Sequence, residues 1–407
     1  MSIFLGLALF APGCQGGRTK TLAKPAALAR TFHVTKLAEI DAAISEAITN
    51  RQCPGGVFWL ERDGVAYRRA YGSRALVPAQ EPMSLDTIFD AASLTKVIAT
   101  APAILLLVER GRVRLDEPAQ RYLPEFAGGG RERITVRQLL THTSGLRPDV
   151  SLRPDWSGID ALIQLAVSEP LAAAPGEKFI YSDTGMILAG EIVRRVSGQG
   201  LDAFVRREIY TPLGMVDTDF NPSPLKLKRI APTEVENGQP LRGIVHDPRA
   251  RRLDGVAGHA GLFTTAADLA RFARMMLDRG RAGPKRIFER GTVELMTRVQ
   301  TPEPVGALRG LGWDLDSGYA SQRGLLFPRG GYGHTGWTGT SIWIDPFSKT
   351  FVIFLSNRNH PDESGNVIPL RRKLGTLAAE SVIGFNFAHV PGALPPRTGR
   401  AEPAARR

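Results

Sequence analysis

The stretch Ser93-Leu94-Thr95-Lys96 stands at the head of an apolar run that continues from Val97 to Val108. The run predicts a buried helix, in which Lys96 lies one turn after Ser93 on the same face. Its amine can therefore reach the serine hydroxyl, which becomes a nucleophile when a base removes its proton. A lysine acts as that base if burial lowers its pKa, and the N–H groups of the first helical turn favour an oxyanion. The stretch thus predicts a nucleophilic serine suited to acyl transfer.

The S-x-x-K spacing by itself leaves an alternative open, because a pattern with two fixed positions recurs by chance. A helix-capping Ser93 followed by an exposed Lys96 would have the same spacing. A second copy, Ser223-Pro224-Leu225-Lys226, is followed by residues 227–232, which form no apolar run and end in a proline. We interpret this second copy as loop. Motifs further along the chain must decide between the two interpretations of Ser93.

The composition indicates a globular protein with room for a large core. The chain has 407 residues, and its 43% hydrophobic and 23% charged content are ordinary for soluble proteins. The net charge of +12 is spread thinly, and no basic helix interleaved with aromatic residues occurs in the sequence. We therefore expect no nucleic-acid partner. The charge is compatible with attraction to anionic surfaces such as cell-wall polymer.

Residues 1–30 predict a signal or lipoprotein segment followed by a linker. Met1 to Ala11 is apolar but too short to span a bilayer. It leads into Pro12-Gly13-Cys14, which resembles the lipobox of bacterial lipoproteins, whose cysteine is lipidated. No Lys or Arg precedes the apolar run and Ala11 replaces the usual leucine, so an incidental cysteine is the alternative. We expect an exported protein, periplasmic or held at the membrane only through a lipid on Cys14, which would leave Cys53 without a disulfide partner.

Strand signals at both ends of the chain and helical signals in the middle predict an α+β protein. A helix from Thr35 precedes a hairpin that turns at Asp63-Gly64, and strand-like runs return between residues 311 and 356. The residues between are mostly helical, such as 182–196 with Gly198 as the stop. We expect one antiparallel β-sheet flanked by N- and C-terminal helices, with an inserted, mostly helical lobe.

The expected domain covers residues 31–388. Its sheet lobe is expected at about 31–92 and 255–388, and its helical lobe at about 93–254, with the site between the lobes. The Ala-, Pro- and Arg-rich tail 389–407 is expected to be disordered.

Two later motifs support the catalytic interpretation of Ser93. Tyr181-Ser182-Asp183 precedes a predicted helix, and His334-Thr335-Gly336-Trp337 precedes a predicted strand. Together with S-x-x-K, they resemble the three motifs of the serine β-lactamase and penicillin-binding-protein superfamily. Their order and wide spacing are similar to the class C β-lactamase and esterase branch. Segments 139–146 and 258–265 also look like that family, and the resemblance extends over residues 36–385.

The resemblance implies a role for each motif residue. Ser93 would be the acylated nucleophile, and Lys96 its general base or the partner that eases removal of its proton. Tyr181 would carry a proton to the leaving group or activate the deacylating water. The backbone N–H groups of Ser93 and Trp337 would form the oxyanion hole. Substrate contacts would come from Asp183, His334, Thr335 and Gly336.

Two departures from the family pattern bear on the substrate. Asp183 stands where the family has an asparagine, and an ionised aspartate cannot donate to a carbonyl. It could instead pair with Lys96 or favour a substrate that carries an amine. His334 replaces a lysine, so the cation that attracts a substrate carboxylate would be weaker and dependent on pH. Both changes favour an esterase, an amidase or a D-amino-acid peptidase over an optimised β-lactamase.

The sequence also leaves other interpretations open. A non-catalytic or slowly deacylating penicillin sensor of the same fold is the alternative to a hydrolase. Residues 331–336 match G-x-G-x-x-G, but a strand follows where a dinucleotide loop needs a helix, so we expect no cofactor. His246, Asp247 and His259 lack a metal-binding spacing, and we expect no metal and a structural role for them. The substrate would be a small molecule or peptide, of the kind derived from cell wall.

Overall fold

The computed structural model describes residues 25–395. Within them the strands are β1 Gly55–Arg62, β2 Val65–Ala75, β3 Glu81–Pro82, β4 Phe89–Asp90, β5 Asp219–Phe220, β6 Val235–Glu236, β7 Gln239–Pro240, β8 Leu262–Thr264, β9 Arg281–Ala282, β10 Lys285–Arg286, β11 Leu308–Arg309, β12 Asp314–Asp316, β13 Tyr332–Thr335, β14 Ser341–Asp345 and β15 Thr350–Leu355. The α-helices are α1 Pro25–Thr31, α2 Val34–Thr49, α3 Ala101–Glu109, α4 Val136–Thr141, α5 Ile159–Ser168, α6 Asp183–Ser197, α7 Leu201–Val205, α8 Thr211–Leu213, α9 Pro248–Arg251, α10 Ala266–Leu277, α11 Arg290–Thr297 and α12 Ile368–Ser381.

The main sheet has eight strands in the order β11-β12-β13-β14-β15-β1-β2-β3, with antiparallel pairing throughout. The predicted hairpin forms between β1 and β2 because Asp63 and Gly64 both adopt the positive φ that its tight turn needs. β1 also pairs with β15, with Val57 opposite Leu355. The two ends of the chain therefore meet at the centre of one sheet, as the sequence predicted.

Alternate residues of β1 divide the core between the two faces of the sheet. Phe58 and Leu60 pack in a cluster with α2 and α12, whereas Val57 and Trp59 pack in a larger cluster with α10 and the middle helices. This is the period of two that strands impose on their side chains. The terminal helices thus cover one face, and the other face is joined to the helical lobe.

The Ser93 segment is irregular before it becomes an α-helix. Residues 92–94 form a 3₁₀ turn, residues 96–100 form a π turn, and α3 follows with Pro102 in its first turn. The Ile98 carbonyl, four residues before Pro102, accepts a hydrogen bond from the Tyr210 hydroxyl at 3.3 Å in place of the N–H that the proline lacks. The window Ala92–Glu109 is long and apolar enough to cross a membrane, yet 83% of it is buried inside the protein. It is the central helix of the core.

Both ends of the domain differ in detail from the sequence-based expectation. Residues 25–30, expected as linker, belong to helix α1. In the predicted tail, the Leu394 N–H donates to the Arg329 carbonyl at 2.8 Å. Cys14 and the rest of the predicted lipoprotein segment up to residue 24, together with residues 396–407, lie outside the described residues.

Candidate active site

A strained turn presents Ser93 at the start of the central helix. Ala92 has a φ of 47°, which side chains rarely adopt, and its N–H donates to Asp90 Oδ1 at 2.8 Å. The Ala91 carbonyl accepts a hydrogen bond from Thr340 Oγ1 at 2.9 Å. These contacts fix the backbone on both sides of the turn. Ser93 itself is half-buried and opens into a cavity.

Lys96 is fully buried and touches the serine, as the S-x-x-K spacing predicted. Its Nζ lies 2.9 Å from Ser93 Oγ, 2.6 Å from Asp183 Oδ1 and 3.0 Å from the His259 carbonyl oxygen. Burial lowers the pKa of Lys96, but the Asp183 carboxylate outweighs burial and raises the pKa above its ordinary value. The expectation that burial would lower the pKa of Lys96 and leave a neutral amine is therefore wrong. Lys96 is a cation in an ion pair, one of the two arrangements considered for Asp183.

Tyr181 is held over the lysine by aromatic contacts. Its ring stacks on His142 with centroids 4.5 Å apart, and Lys96 Nζ lies 5.0 Å from the ring centroid. Burial raises the pKa of Tyr181, although hydrogen bonds with Lys96 and Ser93 act in the opposite direction. The phenol is therefore neutral and is within reach of both Lys96 and Ser93.

The second motif is positioned by the cap of helix α6. Ser182 Oγ accepts from the Gly185 N–H at 3.1 Å and donates to the Arg147 carbonyl at 2.7 Å. The Ser182 N–H donates to His142 Nδ1 at 3.1 Å, and burial lowers the pKa of His142 well below its ordinary value. Sequence reasoning gave His142 no role, although it lies in the segment 139–146 that marked the family resemblance.

The third motif forms the end of strand β13. His334 is only 4% exposed, and its Nδ1 lies 2.8 Å from the Thr335 carbonyl oxygen. Burial, together with the charges of Arg309 and Lys96, lowers the pKa of His334 well below its ordinary value. The lowered pKa agrees with the weaker cation predicted from the sequence, and no carboxylate among the described residues forms an ion pair with His334 to oppose the effect of burial. His334 is a neutral imidazole.

Gly336 is required by the close approach of the third motif to the nucleophile turn. A Cβ at this position would lie 2.1 Å from Thr340 Oγ1 and 2.6 Å from the Ala91 carbonyl oxygen. Thr335, half-buried, precedes it at the strand end. Thr338 Oγ1 donates to the Asp90 carbonyl at 2.8 Å, so the 336–340 turn and the Ser93 turn are joined directly. These contacts bring the third motif beside the Ser93 turn, although the two are far apart in sequence.

A cavity of about 100 Å³ opens beside Ser93. Its lining comprises Asp90, Ala92, Ser93, Asp183, His246, Asp247, His259, Ala260 and Trp337. Ser93 lines the cavity, and Lys96 and Tyr181 contact Ser93. All three motifs identified from the sequence therefore meet at this cavity or next to it. Thr335 and Gly336 precede Trp337 at its rim.

His259 and Asp247 form a buried pair in the cavity wall. His259 Nε2 lies 2.9 Å from Asp247 Oδ1, which also accepts from the Ala250 N–H and caps helix α9. Burial opposes protonation of His259, but the Asp247 carboxylate raises its pKa above the ordinary value. The structural role predicted for these residues is therefore present. His259 reaches this wall although 163 residues separate it from Lys96.

One cluster, formed by Asp183, Asp247 and His259, has the spacing of a metal site. The charges around it, however, do not suit a metal ion. One ligand atom from each residue lies within 4.8 Å of the others. The Lys96 ammonium, 2.6 Å from Asp183 Oδ1, would repel a cation held there. Asp247 is likewise already paired with His259. We assign the cluster to hydrogen bonding rather than to metal binding.

This fold and this arrangement define a serine hydrolase of the β-lactamase family. The family model described as Beta-lactamase matches residues 40–376, and the chain belongs to that family. It is 32% identical to a protein named "Putative D-alanyl-D-alanine carboxypeptidase" from Escherichia coli (strain K12), with 88% of this chain and 90% of the relative covered. It is 33% identical to the N-acetylmuramyl-L-alanine amidase of Bacillus subtilis (strain 168), with 90% and 93% covered.

Solved structures confirm the predicted α+β fold. A class C beta lactamase superposes with a TM-score of 0.68 at 20% identity, covering 84% of this chain and 98% of that structure. EstCE1, described as a hydrolase with promiscuous acyltransferase activity, superposes with a TM-score of 0.66 at 24% identity, covering 84% of this chain and 99% of the other. At these identities the likeness concerns the fold alone.

Proposed function

We propose that this protein is a serine amidase that cleaves an amide bond away from the carboxyl terminus of cell-wall-derived peptides through an acyl-enzyme on Ser93. The observation that carries the proposal is the contrast between the Ser93–Lys96–Asp183 chain of contacts and the neutral His334. A carboxypeptidase must hold a substrate carboxylate beside the bond it cuts, and a cation is the natural partner for it. Among the described residues that line the cavity there is no lysine or arginine.

Acylation uses Lys96 and Asp183 as one base. The Lys96 ammonium passes a proton to Asp183 Oδ1 over 2.6 Å, and the free amine then accepts the Ser93 proton over 2.9 Å. The serine oxygen forms a bond to the amide carbon while the carbonyl oxygen takes the negative charge. The low dielectric of the buried site makes the neutral Lys96–Asp183 state accessible, since it removes two charges from an apolar environment.

The oxyanion is held by the N–H groups of Ser93 and Trp337, each worth about 10²–10³-fold in rate. Lys96 donates a proton to the departing amine nitrogen and recovers one from Asp183, so the base returns to its starting state. In deacylation a water molecule takes the place of the amine. Tyr181, neutral and in contact with both Lys96 and Ser93, relays the proton between them and the leaving group.

The substrate class also suggests where the protein works. The Bacillus subtilis relative is named for an amide bond of the cell wall, and the Escherichia coli relative for a peptide bond of the same polymer. We propose an exported, cell-wall-associated protein that acts on a small peptide substrate. Anchoring through Cys14 remains a prediction from the sequence.

A D-alanyl-D-alanine carboxypeptidase is the second candidate, favoured by the Escherichia coli relative that matches over most of both chains. It would need a cation that approaches the substrate from outside the cavity. Arg358, beside Trp337, is one candidate, but its Nε donates to the Trp337 carbonyl at 2.8 Å and its Nη1 donates to two further carbonyls. We therefore place this activity second.

The deciding experiment compares two substrates. One is N-acetylmuramyl-L-alanyl-D-isoglutamine, whose cleavage liberates the L-alanine amine, and the other is an N-acylated D-alanyl-D-alanine peptide, whose cleavage liberates D-alanine. We expect the first to be cleaved faster, and Ser93→Ala to reduce the rate by about 10⁴-fold or more. Intact-mass spectra of the wild type should show a transient acyl adduct.

Ser223→Ala is the matched control, because it removes the serine of the second S-x-x-K copy. Ser223 merely caps the 3₁₀ turn Pro224–Arg229, and full activity is expected. Faster release of D-alanine would establish the carboxypeptidase instead. A stable stoichiometric adduct with a penicillin, without turnover of either peptide, would establish the sensor.

A further inference from the structure

We propose that the cavity beside Ser93 is a subsite for a neutral, hydroxyl- and acetamido-bearing sugar on the acyl side of the scissile amide. This inference rests on the proposed amidase function. Asp183 uses Oδ1 for Lys96, and Asp247 uses Oδ1 for His259 and the Ala250 N–H. Both residues line the cavity, and the second carboxylate oxygen of each accepts no hydrogen bond from the described residues. The wall therefore presents acceptors to a ligand's O–H and N–H groups.

The charge balance of the wall selects neutral donors over an ammonium group. Lys96 neutralises Asp183, and the His259 imidazole shares the charge of Asp247. Asp90, on the same wall, uses both carboxylate oxygens to accept from the Ala92 and His246 N–H groups. His246, on the same wall, lies 2.6 Å from Glu234 and 3.4 Å from Glu363. A substrate ammonium would gain little net attraction there and would meet the Lys96 charge at close range. Hydroxyl and amide donors have no such cost.

The size of the cavity fits a substituent, and its rim fits a ring. A volume of about 100 Å³ corresponds to roughly three water molecules, which is room for an acetamido or hydroxymethyl group. Trp337 lines the same cavity and is 58% exposed. Arg358 lies 4.7 Å from the centre of its ring, and Glu363 accepts from its Nε1 at 2.7 Å. The indole is therefore held rigidly with a free face, on which the C–H face of a sugar can pack.

The test compares three amides that share one leaving peptide. Their acyl parts are N-acetylmuramyl, the same sugar with a free 2-amino group, and D-lactyl without any sugar. We expect kcat/KM to be at least about tenfold higher for N-acetylmuramyl than for D-lactyl, because two donor contacts are lost with the sugar. The free-amine sugar should also be cleaved more slowly. Faster cleavage of the amine would overturn the inference.

The two proposals fail in distinguishable ways. Cleavage of the D-lactyl and N-acetylmuramyl substrates at equal kcat/KM would overturn the subsite and leave the amidase in place, whereas cleavage of none would overturn both. Asp247→Asn keeps the helix cap and should reduce the preference for the sugar by about tenfold. Asp160→Asn removes the same charge from an exposed position of α5 and should retain the preference.

A different observation points to Arg371 as a positioning residue for the oxyanion hole. This side chain is 6% exposed, and its Nη2 donates to the Gly336 carbonyl at 2.6 Å and to the Thr340 carbonyl at 2.7 Å. The Gly336 carbonyl belongs to the same peptide unit as the Trp337 N–H. A guanidinium on the oxygen of that unit fixes its orientation and polarises it, so its N–H becomes a stronger donor.

The setting of Arg371 is costly for a purely structural residue. In the part of the chain that the structure describes, no ion pair joins it to a carboxylate, and burial with the neighbouring Arg358 lowers its pKa to about 9. A buried cation without a counter-ion destabilises a fold unless its hydrogen bonds compensate. Here both bonds go to the turn that carries the Trp337 N–H.

Arg131 supplies a matched control for this proposal. It is also a buried arginine, 4% exposed, and it donates to the carbonyls of Gly128, Ala166 and Glu169, away from the site. We expect Arg371→Met to reduce kcat per titrated active site by about tenfold to hundredfold with little change in KM. Affinity for a boronic acid that mimics the tetrahedral intermediate should fall by the same factor.

Arg131→Met should lower the melting temperature without changing either value, and Arg371→Lys should restore part of the rate. Titration of active sites with a fluorophosphonate corrects for any unfolded fraction. If Arg371→Met changed only the melting temperature, as expected for Arg131→Met, the positioning role would be overturned.

Discussion

The two walls that flank Ser93 shift the pKa values of their buried basic side chains in opposite directions. On one wall, Lys96 and His259 each have an aspartate within 3 Å, at 2.6 and 2.9 Å, and both have raised pKa values. On the other wall, His334 Nδ1 and Arg371 Nη2 lie against carbonyl oxygens, no carboxylate among the described residues pairs with either side chain, and both have lowered pKa values. The degree of burial is similar on both walls. A carboxylate partner, rather than burial, therefore decides whether the pKa of a basic side chain here is raised or lowered.

Because of this difference in pKa, the two walls have different roles in the reaction. The charged wall can move protons, because Lys96 and Asp183 can exchange one without creating a net charge. The wall of His334 and Arg371 can orient main-chain dipoles, because the Arg371 guanidinium binds two carbonyl oxygens, while the neutral His334 imidazole offers no charge to a substrate carboxylate. The three predictions that follow remove the carboxylate from one wall, add charge to the other, and compare the two by titration.

The largest effect is expected from removing the carboxylate that Lys96 depends on. Asp183→Asn leaves no acceptor for the Lys96 proton, so kcat should fall by about 10²–10⁴-fold while KM changes little. Steady-state kinetics with the N-acetylmuramyl peptide measure both values. Asp160→Asn serves as the control for a lost surface charge. A rate close to that of the wild type would show that Lys96 acts without Asp183.

An intermediate effect is expected from replacing the neutral His334 with a cation. His334→Lys introduces an ammonium group that can pair with a substrate carboxylate. The kcat/KM for an N-acyl-D-alanyl-D-alanine peptide should rise at least about tenfold relative to that for the muramyl peptide. The gain should shrink as salt is added.

His33→Lys adds the same charge at an exposed position next to α2 and should leave the ratio unchanged. Should His334→Lys leave it unchanged as well, the neutral third motif would not be what sets the preference for one bond over the other.

The smallest effect is expected in the pH dependence of stability. The pKa of His334 is lower in the folded protein than in the unfolded chain, so the unfolded chain binds more protons as pH falls below about 6.5. Folding stability should therefore decrease from pH 7 to pH 5, by at most about 1.4 kcal/mol per pH unit for this group. His334→Gln should flatten that decrease, as measured by urea unfolding at each pH.

His259 should show the opposite sign. Its folded pKa is raised, so its contribution is present below the unfolded value and is lost as pH rises through the folded value. His259→Gln should therefore steepen the loss of stability on acidification. Identical slopes for the two variants would contradict the contrast between the walls.

Much of the fold and site could be predicted because its signals are local. The hairpin at Asp63-Gly64, the Ser182 cap and the three-residue step from Ser93 to Lys96 depend on neighbours within one turn. Helix α6, predicted at residues 182–196 with Gly198 as its stop, is observed at Asp183–Ser197 with Gly198 as its C-cap for the same reason. Local sterics and hydrophobic periodicity dictate such features before any tertiary contact forms.

The charge states could not be predicted, because they depend on partners distant in sequence. The S-x-x-K spacing brings Lys96 to Ser93, but only the fold brings Asp183 to 2.6 Å and so reverses the effect of burial. Arg371 reaches the Gly336 carbonyl from a helix 35 residues away, with no motif to mark it. The sequence alone determined which groups could react. The tertiary structure decided their protonation, since electrostatic interactions depend on distance and on the exclusion of water.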